Sequence, residues 1–371
     1  EDVKFSLQEV YTSGVFDTLG SKSGLQNIAS INVFGKSRIQ VTMKEPMFSS
    51  FEFIARLPIV PKALYGNKAK KFELNKTSIG TGPYKIKEYI IGSHLLLEAN
   101  KKWWGRELEQ NRNRFNFDRI FVRFISELPV RQKMLELAQL DYSFLPVELY
   151  LSHSRKQWGK TVQIIKAKPQ TALGFQFSLP LNLRRPLFQS KNTRRALQML
   201  LNRDLLNHQF LNDEGTLATG PWNRFNEYAD PDVKPMEYSP ESAQKLLQAD
   251  GWADANKDGI LEKDFNGKMT DFNFTVYYPN EQILKFLVIY QTDLRRAGIR
   301  MNIQFLDWSV FLAKLSDLDF DSVYVGRGFS GTVDINPKPD WYSGFAGKGQ
   351  GNYTGYTNST VDVLFDQADR E

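Results

Sequence analysis

The chain has 371 residues, a formal net charge of +6 and no cysteine. The length implies two or three domains, and the lack of cysteine excludes disulfides and thiolate chemistry. No apolar run is long enough to cross a bilayer, and the basic residues are dispersed apart from Lys68, Lys70 and Lys71, which describes a solvated surface rather than a nucleic-acid stripe.

The opening EDVKFSLQEV has no start Met, and the closing DVLFDQADRE lies inside an amphipathic pattern of Val361, Leu364, Phe365 and Ala368. The sequence therefore reads as a fragment lacking both ends, and a missing targeting segment carries no information. In the first half, RIFVRFI (119–125) is a strand, PVRQKMLELAQL (129–140) a helix and DYSFLP (141–146) a short strand. TVQIIKA (161–167) and TALGFQFSL (171–179) are two more strands.

The last third is clearer. Ser239 caps a helix, Pro240 suits its first position, Ala243, Leu246 and Leu247 form its apolar stripe, and Gly251 ends it. The turn DANKDG (254–259) follows, and then a strand in which Phe272, Phe274, Val276 and Tyr278 alternate. Asn280 caps a helix with Ile283, Leu287, Tyr290, Leu294 and Ala297 on one face, stopped by Gly298. Ile299, Met301, Ile303 and Phe305 alternate again, so strand, helix and strand make a βαβ unit with parallel strands. A helix around Val310 to Leu315 and a strand DFDSVYV (319–325) come next, and Gly326 to Gly355 is a long aperiodic loop rich in Gly, Pro, Asn and aromatics.

DANKDG matches the start of a calcium-binding EF-hand loop. Calcium takes about six to eight oxygens, and the EF-hand draws its last pair from a Glu at the twelfth position. Counting from Asp254, that position is Phe265; Glu262 and Asp264 are displaced. The turn is therefore expected to be structural, with no metal site, since Asp, Asn and Gly cap turns with their side chains or adopt left-handed backbone. Catalytic groups are poor: His94, His153 and His208 are scattered, GFSG (328–331) is no nucleophile elbow, GKGQG (347–351) opens no helix, and no phosphate loop is present. No enzyme and no cofactor are expected. The loop aromatics Trp222, Tyr324, Phe329, Trp341, Tyr342, Tyr353 and Tyr356, with Arg327 and Asp334 nearby, describe a pocket that binds a ligand by stacking and a few polar anchors.

GTGPYKIKEYIIGSHLLLEANKKWWG (80–105) resembles the hallmark segment of the family 5 extracellular solute-binding proteins, the peptide, nickel and related binding components of ABC importers. EDVKFSL, VTMKEPMFSSFEFIARLPIVPKALYG, NTRRALQMLLNRDLL, YSPESAQKLLQADGW, LRRAGIRMNIQFLDWSVF and GNYTGYTNSTVDVLFDQA resemble further family segments in the same order, and YVGRGFSG is closest to the Yej-like branch. In this family a D-x-[DN]-x-D-G turn often follows the Gly-Trp helix end. Asn202 stands where the family usually has Asp before the Arg of its D-R pair; the family's peptide binders typically carry an Asp after the VYV strand to hold the ligand's amino terminus, and here Ser330 or Gly331 stands at the equivalent place, with Asp334 displaced from it.

The resemblance implies an α/β fold of the two-lobed periplasmic-binding-protein type II with an extra variable subdomain, incomplete at both termini. Residues 1–76 would be the tail of the variable subdomain, 77–183 a first-lobe portion and 184–371 the second lobe. The implied function is capture of a peptide or peptide-like solute between closing lobes and its delivery to ABC transporter permease subunits. The protein would be periplasmic, or extracellular and lipid-anchored, monomeric, and free of nucleic acid. An oligosaccharide or a metal chelate is the alternative ligand within the family, and a nucleic-acid binder the alternative outside it. In open α/β sheets ligands lie beyond the carboxyl ends of strands. The strand Phe320 to Val325 ends just before Arg327, so the ligand-binding residues are expected to be Trp222, Arg327, Phe329 and Asp334, with Tyr324 and Trp341.

Overall fold

A computed structural model of the chain describes residues 1–10, 25, 27–45, 51, 54–55, 57–66, 79–145, 162–165, 174–220, 222, 228–329 and 337–370. The chain divides into two compact units, one of Glu1–Phe16, Ile28–Lys44 and Ile54–Ile165, the other of Asp17–Asn27, Glu45–Phe53 and Lys166–Glu371.

In the first unit, β1 (Ile28–Phe34) and β2 (Arg38–Met43) form an antiparallel hairpin. Its turn uses Gly35 at φ 63°, where a glycine has no Cβ penalty. β3 (Tyr84–Ile90), β4 (His94–Ala99) and β5 (Arg119–Arg123) make a sheet in that order, both pairs antiparallel. Gly92, at φ 77°, turns β3 into β4, as the hallmark segment implied. Alternation gives the sheet two characters. Leu97 lies opposite Ile86 and Ile120, whereas Glu98 is held by Lys87 at 2.8 Å and Arg119 at 3.8 Å. Helix α1 (Leu128–Glu136) follows, with Pro129 in its first turn. The strands expected at DYSFLP and TVQIIKA do not form where they are described: 141–145 and 162–165 are irregular. Strand-favouring side chains do not make a strand without a partner ladder.

The second unit contains the βαβ element as expected. β9 (Asn273–Tyr278) and β10 (Arg300–Phe305) are parallel, in register from Asn273↔Arg300 to Tyr278↔Phe305, with α5 (Leu284–Arg296) as the crossover. β11 (Ser322–Val323) pairs with the other side of β9, giving the order β10-β9-β11. Phe274, Val276 and Tyr278 of β9 pack with Leu287, Tyr290 and Leu294 of α5. The same core takes in Ala196 and Leu197 of α2 (Lys191–Met199), Ala243 and Leu247 of α4 (Pro240–Ala249), and Trp252. Each such Leu, Val or Phe contributes about 1.5–3 kcal/mol of burial relative to exposure. A second core joins Phe311 and Leu315 of α6 (Trp308–Asp317) to Phe320 and Val323.

Local chemistry sets the boundaries. The Ser239 hydroxyl accepts from Ser242 N at 3.3 Å to cap α4, and Asn280 Oδ1 accepts from Gln282 N at 3.0 Å ahead of α5. Asn202 caps α3 (Arg203–Leu211) by accepting from Leu205 N at 3.0 Å. Its departure from Asp is therefore benign, since the two residues cap about equally well. Between α4 and β9 lies a hairpin that the periodicity did not reveal, β7 (Glu262–Phe265) and β8 (Lys268–Asp271). Asn266 and Gly267 turn it at φ 57° and 85°, a pair suited to two-residue hairpin loops.

Where it is described, the stretch Gly326–Gly355 is not the aperiodic loop expected. β12 (Val325–Phe329), paired antiparallel with β6 (Gly174–Ser178), runs into it, and it holds the one-turn helix α7 (Lys338–Trp341). Glycines in β12 conceal its strand character from any pattern of side chains, while its backbone groups find partners in β6. The later part is organised by Asn352, 0% exposed, whose amide donates to the carbonyls of Tyr342 (3.0 Å) and Tyr356 (2.7 Å). Its oxygen accepts from Gly355 N at 3.0 Å and Tyr356 N at 3.2 Å. The chain ends in α8 (Ser359–Ala368), capped by Asn358.

Candidate functional site

Three parallel strands place their carboxyl ends at one edge, where open α/β sheets hold ligands. At that edge β9 ends in Tyr278, 6% exposed, and β10 in Phe305, 43% exposed, with the rings edge to face at 5.6 Å. Trp308, three residues after the end of β10, opens α6. It is 62% exposed and stacks on Phe311 at 5.7 Å with 17° between the planes. Neither residue was among those expected at the site: Phe305 continues an apolar alternation, and Trp308 lies just ahead of the helix expected around Val310 to Leu315. The available signal was position: an aromatic just past a strand end, beside the Asp307 at the start of α6.

Beyond β11 the chain passes Tyr324 and enters β12. The Tyr324 amide donates to the Tyr277 carbonyl at 2.8 Å. Its side chain packs on the main core, and burial pushes the phenol well above its ordinary range. Tyr324 is thus anchored as part of the sheet. β12 pairs Arg327 with Gln176 and Phe329 with Gly174. This corrects one step of the sequence argument: Arg327 and Phe329 lie on a strand, not in a loop after one. The strand continues because β6 arrives antiparallel beside it, steered by the bridge Leu181↔Ser322 and by the Ser322 hydroxyl donating to the Pro180 carbonyl at 3.0 Å. The ribbon β6–β12 thus extends from the carboxyl end of β11.

The remaining expected residues have local settings of their own. Trp222 is partly buried and meets Tyr228 at 6.3 Å. Arg203 ties that connection down through the carbonyls of Ala218 and Met236. Trp341, on α7, is 39% exposed and meets the Tyr356 ring at 5.4 Å and 80°. Asp334 lies outside the described residues. A groove of about 490 Å³ is lined by Arg195, Met199, Met236, Ser242, Lys245 and Leu246, none of them an expected ligand residue.

The DANKDG turn connects α4 to β7. Its closure is accounted for by its own hydrogen bonds: Gly259 N donates to Asp254 Oδ2 at 3.1 Å, Asp258 N to Asn256 Oδ1 at 2.8 Å, and Ile260 N to Asp258 Oδ1 at 2.9 Å. Lys257 and Gly259 take left-handed backbone at φ 63° and 87°. Glu262 is closer than the EF-hand count indicated. It is 5% exposed, accepts from Ala255 N at 2.8 Å, and has a carboxylate oxygen within 4.8 Å of those of Asp254 and Asp258. Of the described residues, these three are the ones whose spacing would suit a metal ion.

The model for bacterial extracellular solute-binding proteins, family 5 middle, matches residues 1–352. The oligopeptide-binding protein AppA of Bacillus subtilis (strain 168) is 28% identical over 324 residues, 84% of this chain and 55% of that protein. YejA of Escherichia coli (strain K12) is 23% identical over 372 residues, 86% of this chain and 57% of its own length. The chain thus spans little more than half of either relative. The structure of Bacillus subtilis AppA in complex with a nonapeptide matches with a TM-score of 0.82 at 25% identity, covering 100% of this chain and 71% of that one. This likeness bears out the α/β, type II periplasmic-binding-protein fold.

Proposed function

Because the chain belongs to the family 5 bacterial extracellular solute-binding proteins, we propose that it is the binding component of an ABC importer that captures a peptide or peptide-like solute. The observation that carries this reading is the likeness to AppA, in sequence over 84% of the chain and in fold over all of it. The ligand would sit at the carboxyl edge of β10-β9-β11, met by Arg327 and Phe329 from the β12 ribbon and by Trp222, with Trp341 and Asp334 as further contacts and Tyr324 beneath. A guanidinium suits a peptide carboxylate because it offers two parallel donors, which an ammonium does not. Asp334 would answer the peptide's amine. Delivery to permease subunits, a monomeric state and a periplasmic or lipid-anchored extracellular location belong to the same proposal. So does the division into residues 1–76, 77–183 and 184–371. No helix among the described residues is long and apolar enough to cross a membrane.

The reading is tested by calorimetric titration of the intact protein with nonapeptides drawn from a random-sequence pool. Arg327→Ala and Trp222→Ala are each expected to weaken binding by about 2 kcal/mol, as for residues at a binding hot spot; Arg327→Ala should change stability little, whereas Trp222→Ala also loses the packing on Tyr228. Unchanged affinity in both variants would remove them from the site, and absence of any peptide binding by the unsubstituted protein would refute the ligand class.

A further inference from the structure

Helix α7 is a single turn, too short to hold itself in water. One face of α8 holds it. Asp362, Asp366 and Asp369 recur at spacings of four and three, so their carboxylates lie along one side of that helix. Asp362 accepts from Ser343 N at 2.9 Å. Asp366 accepts from Lys338 Nζ at 2.7 Å and from the Tyr342 hydroxyl at 3.2 Å. Asp369 accepts from Lys338 Nζ at 2.5 Å. Lys338 is 8% exposed, and its ammonium also lies 4.5 Å from the centre of the Tyr342 ring. Burial opposes the charged form of Lys338, but its bonds to Asp366 and Asp369 outweigh burial and hold the ammonium above its ordinary value. The bond from Lys338 in turn holds the Asp366 carboxyl below its own. A buried cation with two carboxylates is a fixed tie, unlike a solvated surface lysine.

We infer that Lys338 is a positioning residue for ligand capture: by tying α7 to α8 it holds Trp341, three residues further on, in the place where its indole meets a bound peptide. The inference rests on the proposed peptide site. Trp341 leans edge-on against Tyr356, and with 39% of its surface open it keeps area for a ligand. Tyr356 is itself fixed, since both its amide and its carbonyl bond to Asn352. With the tie in place, the ring is set before the ligand arrives, so binding does not have to order it.

Removing Lys338 alone would strand two carboxylates, so the main test uses the neutral variant Lys338→Met/Asp366→Asn/Asp369→Asn. The single variant Asp369→Asn, which keeps one tie, serves if the triple variant does not fold. The probe is the tightest nonapeptide that the unsubstituted protein selects from a random pool, titrated by calorimetry. Fluorotryptophan labelling reports the Trp341 ring by NMR, with its resonance assigned from Trp341→Phe. The neutral variant is expected to raise Kd about tenfold and to broaden the Trp341 resonance, with Asp369→Asn changing both in the same direction. Lys338→Arg, which keeps the charge, restores most of the affinity. Leu247→Ala, a core change at a residue 1% exposed, lowers stability and leaves Kd unchanged. Unchanged Kd and a sharp Trp341 resonance in the neutral variant overturn the inference while the unsubstituted protein still binds peptide. Failure of the unsubstituted protein to bind any peptide overturns the peptide reading instead.

Discussion

Asp250 joins three elements of the second unit, and its removal should destabilise all three. Its carboxylate accepts from the Ser190 hydroxyl at 2.6 Å and from the Thr193 hydroxyl, and Lys263 of β7 lies at 3.4 Å. Ser190 caps α2, Asp250 closes α4, and the Thr193 hydroxyl also receives the Trp252 indole N–H at 2.9 Å. Thr193 and Trp252 are each 1% exposed. Hydrogen bonds to a charged partner are worth about 1.5–3 kcal/mol each. Asp250→Ala removes two and strips a buried hydroxyl of its acceptor, but it also relieves the burial of a charge. The expected loss is about 3 kcal/mol, and Asp250→Asn, which keeps one acceptor oxygen, costs about half of that. Burial alone would raise the Asp250 pKa; the hydroxyls of Ser190 and Thr193 and the Lys263 charge outweigh it and hold the carboxyl below its ordinary value. A depressed folded-state pKa stabilises at pH above the unfolded value of about 3.9, and that stability is lost as pH falls through the folded value. The gap between the native protein and Asp250→Ala should therefore be constant from neutral pH down to about 5 and shrink below about 4. Urea denaturation followed by circular dichroism across this range measures both quantities. A loss below about 1 kcal/mol at neutral pH, or a gap that grows on acidification, would show that Asp250 does not stabilise the fold as a charged acceptor.

The Tyr290 hydroxyl, buried in the core, donates to the Leu197 carbonyl at 2.9 Å near the end of α2. Tyr290→Phe should cost about 1–2 kcal/mol in the same denaturation assay, and no loss would mean that this carbonyl has another partner. Calcium should leave the melting temperature unchanged if the DANKDG turn is closed by its own bonds. A site held at ~100 times its dissociation constant would add about 2.7 kcal/mol, so a clear calcium-dependent rise would overturn the structural reading of the turn.

The parts of the fold that were legible are those whose signals are local. The βαβ unit showed itself because alternation at Phe272–Tyr278 and at Ile299–Phe305 flanks a helical period closed by Gly298, and parallel pairing then follows from chain geometry. β12 was hidden for the opposite reason. Its partner β6 lies about 150 residues earlier in the chain, and its sequence, Val-Gly-Arg-Gly-Phe, offers little side-chain pattern. The carboxylates of α8 were visible at helical spacing, but such a row reads equally well as a solvated face. Only the position of Lys338 against them makes it a tie. Glu262 shows the same limit: a ligand count along the chain placed it off the loop, while the bridge Ala253↔Glu262 folds it back over Asp254 and Asp258.

Placing Arg327 on a strand also changes what its substitution measures. In a loop, a side chain that bonds nearby carbonyls often sets the loop's shape, and its loss mixes folding with binding. On β12 the backbone at Arg327 is paired with Gln176, within a ladder that runs from Val325↔Ser178 to Phe329↔Gly174. Those bonds are made by main-chain groups and survive truncation to Ala. A change in peptide affinity for Arg327→Ala therefore reports the guanidinium itself. Trp222 differs, because it lies in a connection held by Arg203 and packs on Tyr228. Its truncation removes ring packing as well as any ligand contact. If only one of the two substitutions weakens binding, the result at Arg327 is the more direct measure of where the ligand sits.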